Sequence, residues 1–415
     1  MRCSCAQLLI CSLVAVLLVL QVIHLIMLSW LDERTTKRQA QNWSDKLHQS
    51  LLAKEEKRQS EAKLDSSGQY KVHKNYAISH QQDSLNTEND VTIVTQCSVN
   101  HLHHLAQLTE EWDGLISVSV FTTKLQVHIA DAAIFTLREC FEKIRTNVAF
   151  HIVYPFTFQD INEIQNKRHD IELLDLSCEN VLHTITNLNL FMQNYDLSGI
   201  PYPNNLLRNV ARTGVQSTYI FVIDIDMLPN KHLRTDFLSF LQNSVISEEL
   251  SDVVYVVPAF ELPDNSPRPT TKQELLKQYD NNGVRPFYIE LCKKCQFPTD
   301  YESWRNLESK HGLGVAYSRE WVDPWEPFYI SRSDVPFYDE QFKQYGFNRI
   351  SQVCELHVAG FKFSVLDNAF ILHLGYKTKT GFHSSKDEEN LKNKFLFRRF
   401  KEALLTKYPE SSRRC

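Results

Sequence analysis

A surplus of positive charge is missing from this sequence: 45 Lys and Arg stand against 50 Asp and Glu, a formal net charge of −5 over 415 residues. Without a basic field there is no footprint for nucleic acid, and that partner is set aside. Internal repeats and low-complexity tracts are absent too, which removes repeat arrays from consideration. Cys292-Lys293-Lys294-Cys295 has no second Cys-x-x-Cys to complete a zinc site. A local disulfide, or one bridge to a distant cysteine, is therefore expected there in preference to half a zinc site or a redox pair. Asn42-Trp43-Ser44 is the one Asn-x-Ser/Thr sequon, and it matters only if that side of a membrane is lumenal.

Charge is also missing from residues 6–30, where Leu, Val and Ile dominate. A membrane-spanning helix needs about 20 such residues, so the run is long enough with some tilt to spare. It exceeds the roughly 7–15 apolar residues of a signal peptide, and no small-x-small cleavage site precedes Asp32, so an uncleaved anchor is expected. The layout is then a tail at 1–5, a transmembrane signal anchor at 6–30, a polar stem at 31–90 that is helical over 45–64, and a globular domain at 91–415. Orientation pulls two ways. Arg2 precedes the run while Arg34, Lys37 and Arg38 follow it, which by charge argues against a lumenal domain. Seven cysteines beyond the run (Cys97, Cys140, Cys178, Cys292, Cys295, Cys354, Cys415) and the sequon argue for an oxidising lumen, with the odd count leaving one thiol unpaired or intermolecular.

Hydrophobic content of 43% and charged content of 23% allow a substantial core. Apolar runs at 91–95, 115–121, 148–154, 217–223 and 253–257 read as strands. Amphipathic segments at 102–112, 129–144, 202–211, 233–243 and 272–279 read as helices between them. Strands alternating with helices predict an α/β domain with a mainly parallel sheet. Residues 283–304 are aromatic and loop-like, suited either to stacking on sugars or to an aromatic mini-core. Further on, a helix begins near Asn348, strands are expected at 361–366 and 369–372, and an amphipathic helix covers 386–408. His101, His103 and His104 read as a solvated helix face.

The chain is organised around Tyr219-Ile220-Phe221-Val222-Ile223-Asp224-Ile225-Asp226, where a buried strand ends in two acids. Strand alternation sends Asp224 and Asp226 out on one side while Ile225 returns to the core. Two carboxylates at the carboxyl end of a buried strand suit a hard divalent cation that keeps positions open for substrate phosphates. They equally suit capping of the following turn. Arg208, one turn into a helix entered through Pro203-Asn204, faces an anion or holds a structural carboxylate. Glu326, between Pro324 and Pro327, serves as acceptor ligand, general base or structural hydrogen-bond partner. His373, ending a strand, either completes a metal shell or is structural.

Taken together, the segment 202–211, the Asp224/Asp226 pair, residues 298–304, Glu326-Pro327, Tyr345-Gly346-Phe347-Asn348, Glu355 and His373 resemble glycosyltransferase family 49, over residues 91–415. The resemblance implies a GT-A fold, a mixed and mainly parallel sheet flanked by helices, in a single-pass type II protein of the Golgi membrane. It implies manganese held by Asp224, Asp226 and His373, and inverting transfer of glucuronic acid from UDP-glucuronate to a β-xylose. That product primes the O-mannosyl glycan of α-dystroglycan, with other Golgi glycosyltransferases of the same pathway as partners. An inverting transfer needs one base on the acceptor hydroxyl. The acceptor-side helix, where many such enzymes carry an acid, begins Phe347-Asn348-Arg349-Ile350 with none, which leaves Glu326 and Glu355 as candidates, Glu326 first. Arg208, Lys272 and Arg285 are the nominees for the donor carboxylate. Asp300 stands where relatives carry Asn in a sequon. A different donor such as UDP-xylose, and a non-catalytic lumenal partner of other transferases, are the competing expectations.

Overall fold

The computed structural model describes residues 5–81, 89–123, 126–156, 174–188, 199–243, 252–308, 312–378 and 385–415. The chain divides into two units, Met1–Lys57 and Arg58–Cys415. The first belongs to a long helix, Cys5–Glu61. Within it Ser12–Thr35 averages a hydropathy of 2.4, long and apolar enough to cross a membrane.

In the second unit fourteen strands are described: β1 Lys63–Leu64, β2 Tyr70–Ala77, β3 Val91–Ser98, β4 Ile116–Phe121, β5 Val148–Pro155, β6 Tyr219–Val222, β7 Met227–Pro229, β8 Val253–Val257, β9 Ala259–Leu262, β10 Arg285–Pro286, β11 Gly314–Arg319, β12 Phe328–Arg332, β13 Lys362–Asp367 and β14 Ile371–Leu374. Ten form one sheet in the order β1-β2-β5-β4-β3-β6-β12-β8-β13-β11. The neighbours β5-β4-β3-β6 are mutually parallel, β8 and β13 are parallel, and β12 runs antiparallel between the two sets. β3 and β4 are buried along almost their whole length, which is why they read as unbroken apolar runs. The result is the GT-A arrangement, with the qualification that antiparallel strands at both edges make the sheet mixed rather than mainly parallel. The helix Asn204–Thr213 packs on β3 and β4.

Four expectations need correction. The stem does not extend to residue 90, because β2 pairs with β5 from Tyr70 to Ala77 and so belongs to the main sheet. Its Tyr70, Val72, His73 and Tyr76 bury themselves within a polar-looking stretch, so average composition concealed a strand of the main sheet. The helix expected over 129–144 is two, Val127–Cys140 and Glu142–Asn147, broken where Phe141 adopts extended backbone. Residues 283–304 are not loop throughout but hold the helices Ile289–Gln296 and Tyr301–Asn306. Here the mini-core alternative holds for Tyr301 and Trp304: Trp304 is fully buried, with its indole N–H donating to the Leu366 carbonyl at 2.8 Å. Finally, β1, β7, β9 and β10 escaped detection because they are four residues or fewer, and the longer β11 and β12 were missed as well.

Six of the seven cysteines pair, Cys140 with Cys178, Cys292 with Cys295 and Cys354 with Cys415. Cys97 is the buried free thiol among the described residues. The Cys-x-x-Cys is thus a local disulfide, as its solitary occurrence suggested.

Candidate active site

A second sheet, β10-β9-β14-β7, lies at the carboxyl end of β6 and assembles the site. After Val222 the chain turns, with the Met227 N–H donating to the Asp224 carbonyl at 3.0 Å, and re-enters as β7. Ile225 is largely buried, and Asp224 and Asp226 face a cleft of about 970 Å³ that Ile225 also borders. β14 pairs antiparallel with β7, setting His373 opposite Met227 and therefore beside Asp226. The His373 Nε2 lies 3.0 Å from Asp226 Oδ2. Its Nδ1, 2.6 Å from the Gly375 carbonyl, must carry a proton. Nε2 is consequently the nitrogen that faces the carboxylate.

The two acids are held differently. Asp224 accepts from Arg349 Nη2 at 2.6 Å and from Arg208 Nη2 at 3.5 Å. Burial pushes its pKa up, but the two guanidinium charges outweigh that and hold the carboxyl below the usual range. For Asp226 burial is again the largest influence; the His373 hydrogen bond and the Lys377 ammonium, 3.1 Å from Oδ2, overcome it and leave a firmly ionised carboxylate. Asp226, His373 and Lys377 meet at one oxygen, whereas Asp224 turns to the arginines. Among the described residues no set of three acid, histidine or cysteine side chains is already converged on one point. The donors are nevertheless two carboxylates and an imidazole oriented by a carbonyl, a set that fits a hard or borderline divalent ion.

Glu326 lines the same cleft. Its loop is fastened through the main chain: the Glu326 N–H donates to the Cys295 carbonyl at 3.0 Å, and Gln296 Nε2 donates to the Glu326 carbonyl at 3.2 Å. No donor among the described residues bonds its carboxylate. Protein surrounds it on most sides although it keeps partial solvent contact, and this desolvation is the main reason its pKa is pushed up to about 7, against the lowering pull of Arg349.

The remaining candidates fall elsewhere. Glu355 is buried in the helix Asn348–Val358, accepting from Lys407 Nζ at 2.5 Å and the Tyr408 hydroxyl at 2.9 Å from the C-terminal helix Lys386–Lys407 and the residue after it. It is a clamp between helices and does not reach the cleft. Replacing it with Gln is expected to lower stability by about 1–3 kcal/mol in urea unfolding, with turnover by the folded enzyme retained. A loss of turnover without a loss of stability would contradict this placement. Lys272 is buried against Asp367 at 2.6 Å. Arg285 pairs with Glu261 at 3.0 Å and Glu290 at 3.2 Å, outside the cleft lining. Neither is positioned for the donor carboxylate. Arg208 does line the cleft, and both readings of it merge: it donates to Asn205 and Asn348 as well as to Asp224.

Three residues escaped sequence reasoning. Arg349 stands where an acid was sought, and its role arises from Asp224, 125 positions away. Lys377 carried no motif. Glu261, fully buried, accepts from the Tyr288 N–H at 2.7 Å, the Lys377 N–H at 2.8 Å and Arg285, tying three segments of the cleft together. A Glu inside the apolar run Ala259-Phe260-Glu261-Leu262 was its available signal. The histidine trio is also not merely a solvated face: His101 lines the cleft and its Nδ1 lies 2.9 Å from Ser98 Oγ, while burial brings His104 down to about 4.

A mixed sheet whose central strand leads into two acids, on a cleft that also holds a desolvated carboxylate, fits a transferase of the GT-A class. Residues 90–409 match the family described as "Glycosyl-transferase for dystroglycan", and the chain belongs to this family, glycosyltransferase family 49. It is 45% identical over 364 residues to Beta-1,4-glucuronyltransferase 1 of Danio rerio, covering 85% of this chain and 83% of that one. With the Homo sapiens protein of the same name it shares 42% over 354 residues, again 85% and 83% of the two chains. Among solved structures, GalNAc-T7 with UDP, GalNAc and Mn2+ aligns with a TM-score of 0.39 at 9% identity, over 79% of this chain and 52% of the other.

Proposed function

We propose that this enzyme transfers glucuronic acid from UDP-glucuronate to a β-xylose-terminated acceptor, forming a β-1,4 linkage with inversion. The observation that carries the mechanism is Glu326, an acid without a hydrogen-bond partner among the described residues, poised near neutrality on the cleft that holds Asp224 and Asp226. The names of relatives at 42–45% identity support the donor and linkage. Glu326 takes the proton of the acceptor hydroxyl as its oxygen bonds to the anomeric carbon, and the bond from that carbon to the diphosphate breaks with its electron pair leaving on UDP. One displacement from an α-linked donor gives a β product. Asp226, His373 and Asp224 would hold Mn2+, Asp224 exchanging its arginine partners. The ion supplies neutralisation of the charge that builds on departing UDP.

In this reading Ser12–Thr35 anchors a type II protein in the Golgi membrane, and the three disulfides fit a lumenal domain. The acceptor is the xylose-ended O-mannosyl glycan of α-dystroglycan, whose other transferases are the pathway partners. A donor screen tests it: detergent-solubilised full-length enzyme with a β-xyloside should release UDP from UDP-glucuronate. Release only from UDP-xylose would reject the glucuronyl assignment, and donor breakdown indifferent to the xyloside would replace transfer by hydrolysis.

A further inference from the structure

Tyr288 and Tyr345 approach the cleft from different walls, one at the entry to the helix Ile289–Gln296 and one in the turn before the helix Asn348–Val358. Both line the cleft that Glu326 also lines. Each is presented by backbone that side chains other than glycine seldom adopt. Tyr288 has φ of 62°, a costly conformation for a bulky aromatic residue, held in place by the buried Glu261 that accepts its N–H. Tyr345 is followed by Gly346 at φ 90° and Phe347 at φ 58°. A Cβ on Gly346 would collide with Asn390 of the C-terminal helix. The same helix fixes Tyr345 from both sides: Glu389 accepts its N–H at 3.1 Å and Asn393 donates to its carbonyl at 2.9 Å. Strain at two independent segments, each supported from behind, ends in two phenols on the cleft that also holds an unbonded carboxylate. Packing alone does not account for this, because both tyrosines remain partly exposed to the cleft.

We propose that Tyr288 and Tyr345 form a clamp for the acceptor sugar, gripping a pyranose so that one of its hydroxyls lies on Glu326. The phenol faces suit the C–H surface of the ring, and the two hydroxyls offer donor and acceptor capacity at its edge. The clamp rests on the transfer reading above and assigns its acceptor subsite.

The test uses full-length enzyme in detergent with Tyr288→Gly, which relaxes the left-handed backbone as it deletes the ring, and Tyr345→Phe, which keeps the ring and deletes the hydroxyl. Expected results are a rise in KM for a β-xyloside of about tenfold or more for Tyr288→Gly and about threefold or more for Tyr345→Phe, as the loss of a stacking or a hydrogen-bonding contact gives. The KM for UDP-glucuronate and the Kd for UDP should stay within about twofold. Saturation-transfer NMR of methyl β-xyloside on UDP-loaded protein reads the same contact without turnover, with transfer to the sugar lost in Tyr288→Gly. Acceptor KM and NMR signal unchanged in both variants, or donor KM rising in step with acceptor KM, would overturn the clamp. Should the unsubstituted enzyme bind the xyloside yet turn over no donor, the transfer reading fails and the NMR comparison still decides the clamp.

Discussion

Glu326→Gln is expected to reduce kcat by roughly a hundred- to ten-thousand-fold, the range that one general base contributes. The KM for UDP-glucuronate should change little, because the amide keeps the shape of the acid and the donor phosphates lie with Asp226. The unsubstituted enzyme should also show kcat rising with pH through about 7, where Glu326 loses its proton. The sign follows from the role: a base acts only when ionised, and desolvation has moved that ionisation upward from the ordinary carboxylate range. Initial rates across pH 5.5–8.5 on both proteins test this together. A Gln variant with near-normal kcat, or a rising limb that survives the substitution, would remove Glu326 from the base role. Folding should persist in the variant, since it removes a charge that the surrounding protein disfavours.

Asp226→Asn is expected to abolish measurable transfer and to weaken Mn2+ binding by about a hundredfold or more, since it takes away an anionic ligand at the point that His373 also faces. Binding is read independently of activity from the paramagnetic signal of free Mn2+ in a titration. Stability should fall modestly. The Asp226 pKa is depressed in the fold, so its ion pairs contribute stability above the unfolded carboxylate pKa and lose it as pH falls. The carboxylate is only partly buried, which keeps that contribution small. A cooperative thermal transition with no Mn2+ uptake is the expected pair of results. Unaltered Mn2+ affinity would place the ion elsewhere, and unaltered transfer would end the catalytic reading of the paired acids.

Arg349 shows how the site balances its charge. Its guanidinium is 2.6 Å from Asp224, lies 4.0 Å from the Phe328 ring centroid, and is the largest pull opposing the upward shift of Glu326. One cation therefore keeps Asp224 ionised and keeps Glu326 from rising further. The acid sought at the start of this helix is replaced by a residue that tunes an acid arriving from another loop.

Much of this was legible in the chain itself, and the reason is periodicity. An apolar run flanked by polar turns identifies a buried strand wherever it pairs, so β3, β4, β5, β6 and β8 could be placed by pattern. The long uncharged N-terminal run and the lone Cys-x-x-Cys likewise carried their meaning locally. The two acids reach the cleft otherwise than strand alternation predicts, because β6 ends at Val222 and Asp224 to Asp226 lie in the turn that the Met227 N–H closes on the Asp224 carbonyl. Tertiary structure decided the rest, because pairing between strands far apart in sequence leaves no local pattern. His373 reaches Asp226, 147 positions earlier, only through the register of β14 against β7. Glu326 and Glu355 are both candidate acids on paper, Glu326 the first of them; one lies in a loop fastened at the cleft, and the other is locked between helices by Lys407 and Tyr408. Desolvation, which pushes the Glu326 pKa up to about 7, depends on what surrounds the side chain in space, and no neighbour in the sequence records it.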